Sequence, residues 1–276
     1  MELLHKKYAN SEKLAVKLRM DILRMAAKAR SSHIGAALSA ADILAVLYYS
    51  FLNYTPEDAG NDLRDRLIFS KGHGGAALYA VLAAAGFFPE PELENYCSNG
   101  SSLSGHVNCN NVPGVEFSTG SLGHGLPVAS GIALSLKKRS NSARVVVVMG
   151  DGECNEGAVW EAAMFAAAFH LSNLTVIIDR NRMQALGNTE DIIPLEPFAD
   201  KWKSFGWMVS GTDGHDHGKL LNALRHPHPD KPHCIIADTV KGKGISFMEN
   251  KLLWHYRAPD AGQFEAAMRE LSEAGR

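Results

Sequence analysis

Cysteine is scarce and unordered in this sequence: Cys97, Cys109, Cys154 and Cys234 form no CxxC pair and follow no regular spacing. A disulfide framework or a zinc site would need such regularity, so ordinary thiols in a reducing compartment are expected. Net charge is equally slight, −2 at neutral pH. The field of the whole chain therefore attracts neither nucleic acid nor an anionic membrane, and an anionic ligand has to be held by a local site. Long apolar runs are missing too. No stretch approaches the ~18 consecutive apolar residues of a membrane span. The amino-terminal MELLHKKYANSEKL mixes charged and apolar residues where a signal peptide carries an unbroken apolar core. A cytoplasmic protein is expected, and neither internal repeats nor low-complexity segments break its pattern.

What is present is enough apolar material, 46% of 276 residues, for one large α/β domain or a domain with a tail. Leu14, Leu18, Ile22 and Met25 recur at helical spacing, which predicts an amphipathic helix over 11–29. Ser39 and Asp42 predict a helix start before ILAVLYYSF, with Thr55-Pro56 closing it. Another helix is predicted from Gly74 to Ala85, ended by Gly86, and another over Leu126–Lys138. Between them, Cys97 to Gly125 is rich in Gly, Ser and Asn and shows no period. A loop that long inside a compact domain is more often functional than idle.

Arg144-VVVVM-Gly150 is a continuous β-branched run, as expected of a parallel strand buried on both faces. A helix is predicted from Gly157 to Phe169, then a strand over Leu174–Asp179, with 233–240 a third candidate. Strand–helix alternation of this kind predicts a doubly wound parallel sheet with helices on both faces. In such sheets ligands bind beyond the carboxyl ends of the strands. Those ends carry Gly150-Asp151-Gly152 and Asp179-Arg180-Asn181. The glycines allow the backbone to approach an anion, and the helix from Gly157 aims free N–H groups at the same spot. Asp151 offers a charged oxygen and Asn181 an amide oxygen, a donor set that suits magnesium or calcium bridged to phosphate.

Residues 150–181, GDGECNEGAVWEAAMFAAAFHLSNLTVIIDRN, pair a GDG at one strand end with an Asn at the next. The unit resembles the thiamine-diphosphate motif. Four further blocks resemble transketolases in the family's own order: SSHIGAAL at 31–38, SKGHGGAALY at 70–79, SGHVNCNNVPGVEFSTGSLGHG at 104–125 and DTVKGKGISFMENKLLWHYR at 238–257. The likeness covers 10–260 and is to the N-terminal, diphosphate-binding subunit of split, two-chain transketolases. It implies the thiamine-diphosphate-binding fold over 1–257, with the remaining 258–276 a tail forming a short helix.

Carried over position by position, the resemblance makes Asp151, Asn181 and the main-chain carbonyl of Met183 metal ligands. It sets Gly152 and Asn181 at the diphosphate, with His73 a further cofactor contact. Gly120, Ser121 and Leu122 match the loop under the aminopyrimidine. His33, His106 and His255 match residues that meet the sugar, His255 also lying near the cofactor. Glu156 matches an acid buried near the diphosphate and linked to the opposite subunit. His33, His73, His106 and His255 make chemical sense together, because carbon–carbon cleavage beside a carbonyl needs proton transfers near neutrality and imidazole has an ordinary pKa of ~6.5. The implied activity moves a two-carbon ketol unit from a ketose phosphate to an aldose phosphate, with thiamine diphosphate and a divalent metal.

Some positions depart from full-length members. Ile34 and Ser121 stand where Pro is usual, His124 for Gln, Arg182 for Gly, and Tyr256 where many split subunits have Gly. Arg182 and Tyr256 bear on substrate choice. The family's activating glutamate belongs to a downstream pyrimidine domain, which implies a partner chain and an α2β2 assembly. The rival readings are the α chain of a 2-oxo acid dehydrogenase and a catalytically inactive binding subunit; the early histidine blocks argue against the first. RHPHPDKPH, with His226, His228 and His233, is expected to be a solvated loop leading into a strand, and His215 and His217 to be structural.

Overall fold

The structure, a computed structural model, describes residues 1–275. Five strands, β1 (Arg66–Phe69), β2 (Val145–Gly150), β3 (Leu174–Arg180), β4 (Met208–Asp213) and β5 (His233–Asp238), form one sheet in the order β1-β2-β3-β5-β4. Every neighbouring pair is parallel. The valine run of β2 is buried on both faces because its side chains alternate between two cores. Val146 and Val148 belong to one, and Val145, Val147 and Met149 to the other.

The first core is closed by α1 (Glu2–Lys7), α2 (Ser11–Ala29), α3 (Ile34–Ser39), α4 (Ala41–Val46) and α5 (Gly75–Ala85). The second is closed by α6 (Gly125–Lys138) and α7 (Gly157–Ala168), followed in the chain by the short α8 (Thr189–Ile192) and by α9 (Phe198–Ser204). The chain then returns to the first face with α10 (His217–Arg225) and α11 (Ala261–Ala274). Helices thus cover both faces of a parallel sheet, the doubly wound arrangement. Among the described residues no helix is long and apolar enough to cross a membrane, and all four cysteines are free thiols.

The predicted helices over 11–29 and up to Gly86 have clear physical ends. Asn10 caps α2 by accepting from the Lys13 N–H at 2.9 Å, and Gly86 closes α5 in the left-handed region, φ 92°. A helix does start at the predicted place, α4 at Ala41, but not for the predicted reason. The helical path begins earlier, after His33, and neither side chain caps it. Ser39 lies inside α3 and donates to Asp179 at 2.6 Å. The path also ends at Phe51, in a π-helical turn, ahead of Thr55-Pro56. Strands β1 and β4 carried no sequence signal. The first is four residues long, and the second, MVSGTD, is a half-exposed edge strand without an apolar run.

Asp42, buried in α4, ties three elements together. It accepts from Arg19 of α2, which chelates it through both guanidinium nitrogens. His215 Nδ1 lies 2.5 Å away and His217 Nε2 3.1 Å away. Burial alone would raise this carboxyl, but the Arg19 charge and the three hydrogen-bonding partners outweigh it and hold it well below its usual value. A depressed folded-state pKa contributes stability above the unfolded value of ~3.9, and that contribution is lost as pH falls through the folded value. Asp42→Asn should cost about 3–5 kcal/mol at pH 7, because Arg19 is left buried without its counter-charge. Urea unfolding at pH 7 and again at successive values below 4 should show the gap between variant and wild type narrowing with acidity.

Candidate functional site

Four strand ends deliver their next residues to one cavity of about 290 Å3. From β1 the chain runs into Lys71 and His73, from β2 into Asp151 and Gly152, from β3 into Asn181, and from β5 round to Lys241. The irregular segment after Cys97 is laced to the end of β1. Thr119 Oγ1 donates to Phe69 O at 2.7 Å, and the Val107 N–H donates to Gly72 O at 3.1 Å. The approach at Gly72 is close enough that a Cβ there would sit 2.4 Å from Thr119 O, so only glycine fits. This lacing carries His106 to the cavity.

His33, His73, His106 and His255 come together there. The His33 ring centroid lies 5.4 Å from that of His73, 5.8 Å from His106 and 4.7 Å from His255. Burial, then the His106 charge, lowers His33 to about 4; burial, then Lys241, lowers His255 to about 4. Burial and then Lys71 bring His73 well below its usual value. These three imidazoles are therefore neutral at pH 7, each able to donate at one nitrogen and accept at the other. His33 Nδ1 is buried without a hydrogen-bond partner among the described residues. His33 also occupies the left-handed region, φ 69°, strained for a side-chain-bearing residue.

Asp151 sits at the tip of β2, almost wholly buried. One oxygen accepts from the Gly152 N–H at 2.8 Å and the other from the Arg182 N–H at 2.7 Å. Burial and then the Asp179 carboxylate push it up to about 6. Asn181 Oδ1 accepts from the Met183 N–H at 3.1 Å. Across the cavity Lys241 Nζ donates to Met183 O at 3.3 Å and to Gln184 O at 3.4 Å, and meets His255 Nδ1 at 3.1 Å. Burial first, and then the Lys71 ammonium, bring Lys241 down to about 8. The floor is an ion pair between Lys71 and Asp179, both fully buried. For Asp179 the attraction of Lys71 and the hydrogen bonds from Ser39 and Thr239 outweigh the penalty of burial, so its carboxyl is lowered.

Of the residues singled out from sequence, Gly120, Leu122, Asp151, Gly152, Asn181, Met183 and the four histidines line this cavity. Ser121 is exposed and does not line it. Glu156, expected as a buried acid, is exposed at the start of α7. The buried acid of that turn is Glu153, which accepts from Ser70 and from the Gly123 N–H at 2.9 Å, and whose carboxyl is raised by burial. Sequence reasoning missed Lys71, Lys241 and Gln184, although the first two lie within the transketolase-like blocks. Of the departures, Arg182 pairs with Asp238 at 2.8 Å, and the Tyr256 hydroxyl donates to Ala185 O at 2.5 Å, fastening the segment after Met183 to the segment after His255. His215 and His217 hold Asp42, as their structural reading required. His233 is buried in β5, whereas His226 and His228 lie in the exposed connection before it.

Among the described residues no three His, Cys, Asp or Glu side chains gather as a metal cluster. One carboxylate, one amide oxygen and one main-chain carbonyl nevertheless form a hard-oxygen set that fits magnesium or calcium shared with an anionic ligand. The buried lysines and the helical turns starting at the tip of β2 fit the anion. Lys71→Met should destabilise the protein by about 3–5 kcal/mol, because Asp179 is left buried and unpaired. Thermal and urea unfolding measure this directly, and a loss under ~1 kcal/mol would show the pair to be dispensable.

A family model described as "Transketolase, thiamine diphosphate binding domain" matches residues 10–271. An apulose-4-phosphate transketolase subunit of Actinobacillus succinogenes is 42% identical over 268 residues, which cover 96% of this chain and 97% of that one. The 6-deoxy-6-sulfo-D-fructose transketolase subunit SqwG of a Clostridium species is 41% identical over 245 residues, 88% and 89% of the two chains. Among solved structures, the transketolase of Campylobacter jejuni superposes with a TM-score of 0.89 at 31% identity, covering 99% of this chain but 43% of that one.

Proposed function

The chain belongs to the transketolase family, as its thiamine-diphosphate-binding domain, and from that premise we propose that it is the diphosphate-binding subunit of a two-chain transketolase. The two-chain reading is supported by the relatives named as transketolase subunits, 97% and 89% of whose own lengths this chain matches at 42% and 41% identity. The reaction is transfer of a two-carbon ketol unit from a ketose to an aldose. The relatives' names span a phosphorylated and a sulfonated sugar, so substrates with an anionic end, sugar phosphates foremost, are the class proposed.

Asp151, Asn181 and the carbonyl of Met183 would hold the divalent metal, with Gly152 and Asn181 at the diphosphate and Gly120, Ser121 and Leu122 under the aminopyrimidine. Thiamine diphosphate, when bound, supplies the electron sink for carbon–carbon cleavage beside a carbonyl. The protein supplies position and proton handling. His33 and His73, neutral near pH 7, orient sugar hydroxyls by donating at one ring nitrogen and accept protons at the other, with His106 completing the cluster. His255, also neutral, accepts from Lys241 at Nδ1, which leaves its Nε2–H to donate to the substrate. Glu156, exposed in the single chain, faces the partner, which carries the pyrimidine domain in an α2β2 assembly. The four free thiols suit a cytoplasmic protein.

The observation that carries this reading is the convergence of two strand tips bearing Asp151 and Asn181 with four imidazoles on one cavity. Calorimetry with thiamine diphosphate and magnesium tests it: Asp151→Ala should abolish metal-dependent retention of the cofactor, and an unchanged affinity would sink the assignment. Ketol transfer should require both chains, and turnover by this chain alone would overturn the two-chain reading.

A further inference from the structure

Glu153, in the turn after Asp151, is 2% exposed and lines the histidine cavity, yet no part in binding or proton transfer falls to it. Its carboxyl is met by three donors. Ser70 Oγ and the Gly123 N–H donate to one oxygen, the latter at 2.9 Å, and the Gly150 N–H donates to the other at 3.3 Å. Among the described residues no cation pairs with it. Burying a carboxyl is unfavourable in itself, and an apolar side chain could fill the same space without that penalty. What the carboxyl does is join three stretches of chain at one point: the exit of β1, the end of β2 and the loop from Thr119 to Gly125.

That loop carries Gly120 and Leu122 into the cavity and is strung between two anchored ends. At its start Thr119 donates from its N–H to Val107 O at 3.0 Å and from Oγ1 to Phe69 O at 2.7 Å. At its end the Gly125 N–H donates to Ser70 Oγ at 3.2 Å, and a Cβ on Gly125 would fall 2.3 Å from that oxygen. Between these ends the N–H groups of Gly120, Ser121 and Leu122 donate to no main-chain acceptor among the described residues. Phe69 and Ser70 both belong to the exit of β1, whereas Glu153 ties the loop to β2, the strand whose tip bears Asp151. Gly123 takes up that tie in the left-handed region, φ 83°, where a Cβ would sit 2.7 Å from Glu156 Cβ. The carboxyl therefore sets the distance between the Gly120–Leu122 floor and the Asp151-Gly152 turn. A rigid ligand that touches both needs that distance fixed, and a buried supporting residue is the usual means.

We propose that Glu153 is a positioning residue, which through Gly123 sets the height of the Gly120–Leu122 floor beneath the aminopyrimidine while Asp151 and Gly152 hold the diphosphate. The inference rests on the transketolase reading for the identity of the ligand. In the assembled two-chain enzyme with magnesium, calorimetry should show Glu153→Ala weakening thiamine diphosphate about tenfold more than inorganic pyrophosphate, which reaches the strand tips but has no ring to rest on the loop. Glu153→Gln keeps an oxygen for Ser70 and Gly123 and gives up the longer contact with Gly150. It should bring thiamine diphosphate back to within about threefold of wild type.

Equal weakening toward the two ligands would make Glu153 a general support of the strand tips and would overturn the proposal, as would no weakening at all. A glutamine variant no better than alanine would place the effect at Gly150 and overturn it too. So would pyrophosphate that fails to bind wild type, because ring and diphosphate would then not be held separately. Should Glu153→Ala fail to fold or to assemble, Glu153→Asp takes its place: one methylene shorter, it cannot reach Gly123 and Gly150 together and should show the same selective loss. Wild-type binding separates the two levels. Thiamine diphosphate that binds, with a loss shared by pyrophosphate in the variant, defeats this inference alone; thiamine diphosphate that does not bind defeats the transketolase reading.

Discussion

The ion pair of Lys71 with Asp179 is the contact on which the site's geometry turns. It joins the segment after β1 to the end of β3, while Ser39 of α3 and Thr239 after β5 hydrogen-bond the same carboxylate. Four separate stretches of chain are thereby held around one buried negative charge. A buried pair adds little net stability over apolar packing, because desolvation consumes much of the attraction. What it does is fix which neighbours can lie together: no apolar side chain of similar size would distinguish one register of these segments from another. The cavity walls inherit their positions from that choice.

The same charge shapes the electrostatics above it. Asp179 disfavours ionisation of Asp151, and Lys71 disfavours protonation of His73 and of Lys241. The cavity thus holds a carboxylate whose ionisation is disfavoured, imidazoles inclined to stay neutral and a lysine whose charge is disfavoured. A divalent cation at Asp151 would favour its carboxylate, and a polyanion beside Lys241 its ammonium. The resting site is a set of mutual frustrations that a metal-bound diphosphate would relieve. That fits residues arranged for a ligand better than residues arranged for stability alone.

Much of this was readable from sequence because it rests on local pattern. The valines of β2 and the periodicity of α2 appear where they were expected, and the glycine at 86 ends α5 for the reason glycine usually does. The cofactor blocks lie at strand tips, as the doubly wound arrangement requires. What escaped reading depends on contacts distant in sequence. Strand β1 is named as a strand only by pairing with β2, and β4 only by pairing with β5. Ser39 and Asp42 look like helix caps, yet one serves Asp179 and the other Arg19, partners no local rule foresees. Glu153 and Glu156 are equivalent acids in sequence. Only the fold decides that the first turns inward toward Ser70 and Gly123. Lys71 and Lys241 escaped because lysine is ordinarily a surface residue, and nothing in one chain's sequence announces a buried counter-charge.

Neighbouring strands β1 and β2 are separated by residues 70–144, so the crossover between them holds α5, the whole irregular segment and α6. Within that span lie His73, His106 and Gly120, which means that one long excursion of chain has to close before these residues meet. Closing it carries an entropic cost that no contact made inside the excursion can offset in advance. The connection from β2 to β3, residues 151–173, is far shorter, so the aspartate and asparagine tips come together at a lower entropic cost than the wall that carries His73 and His106.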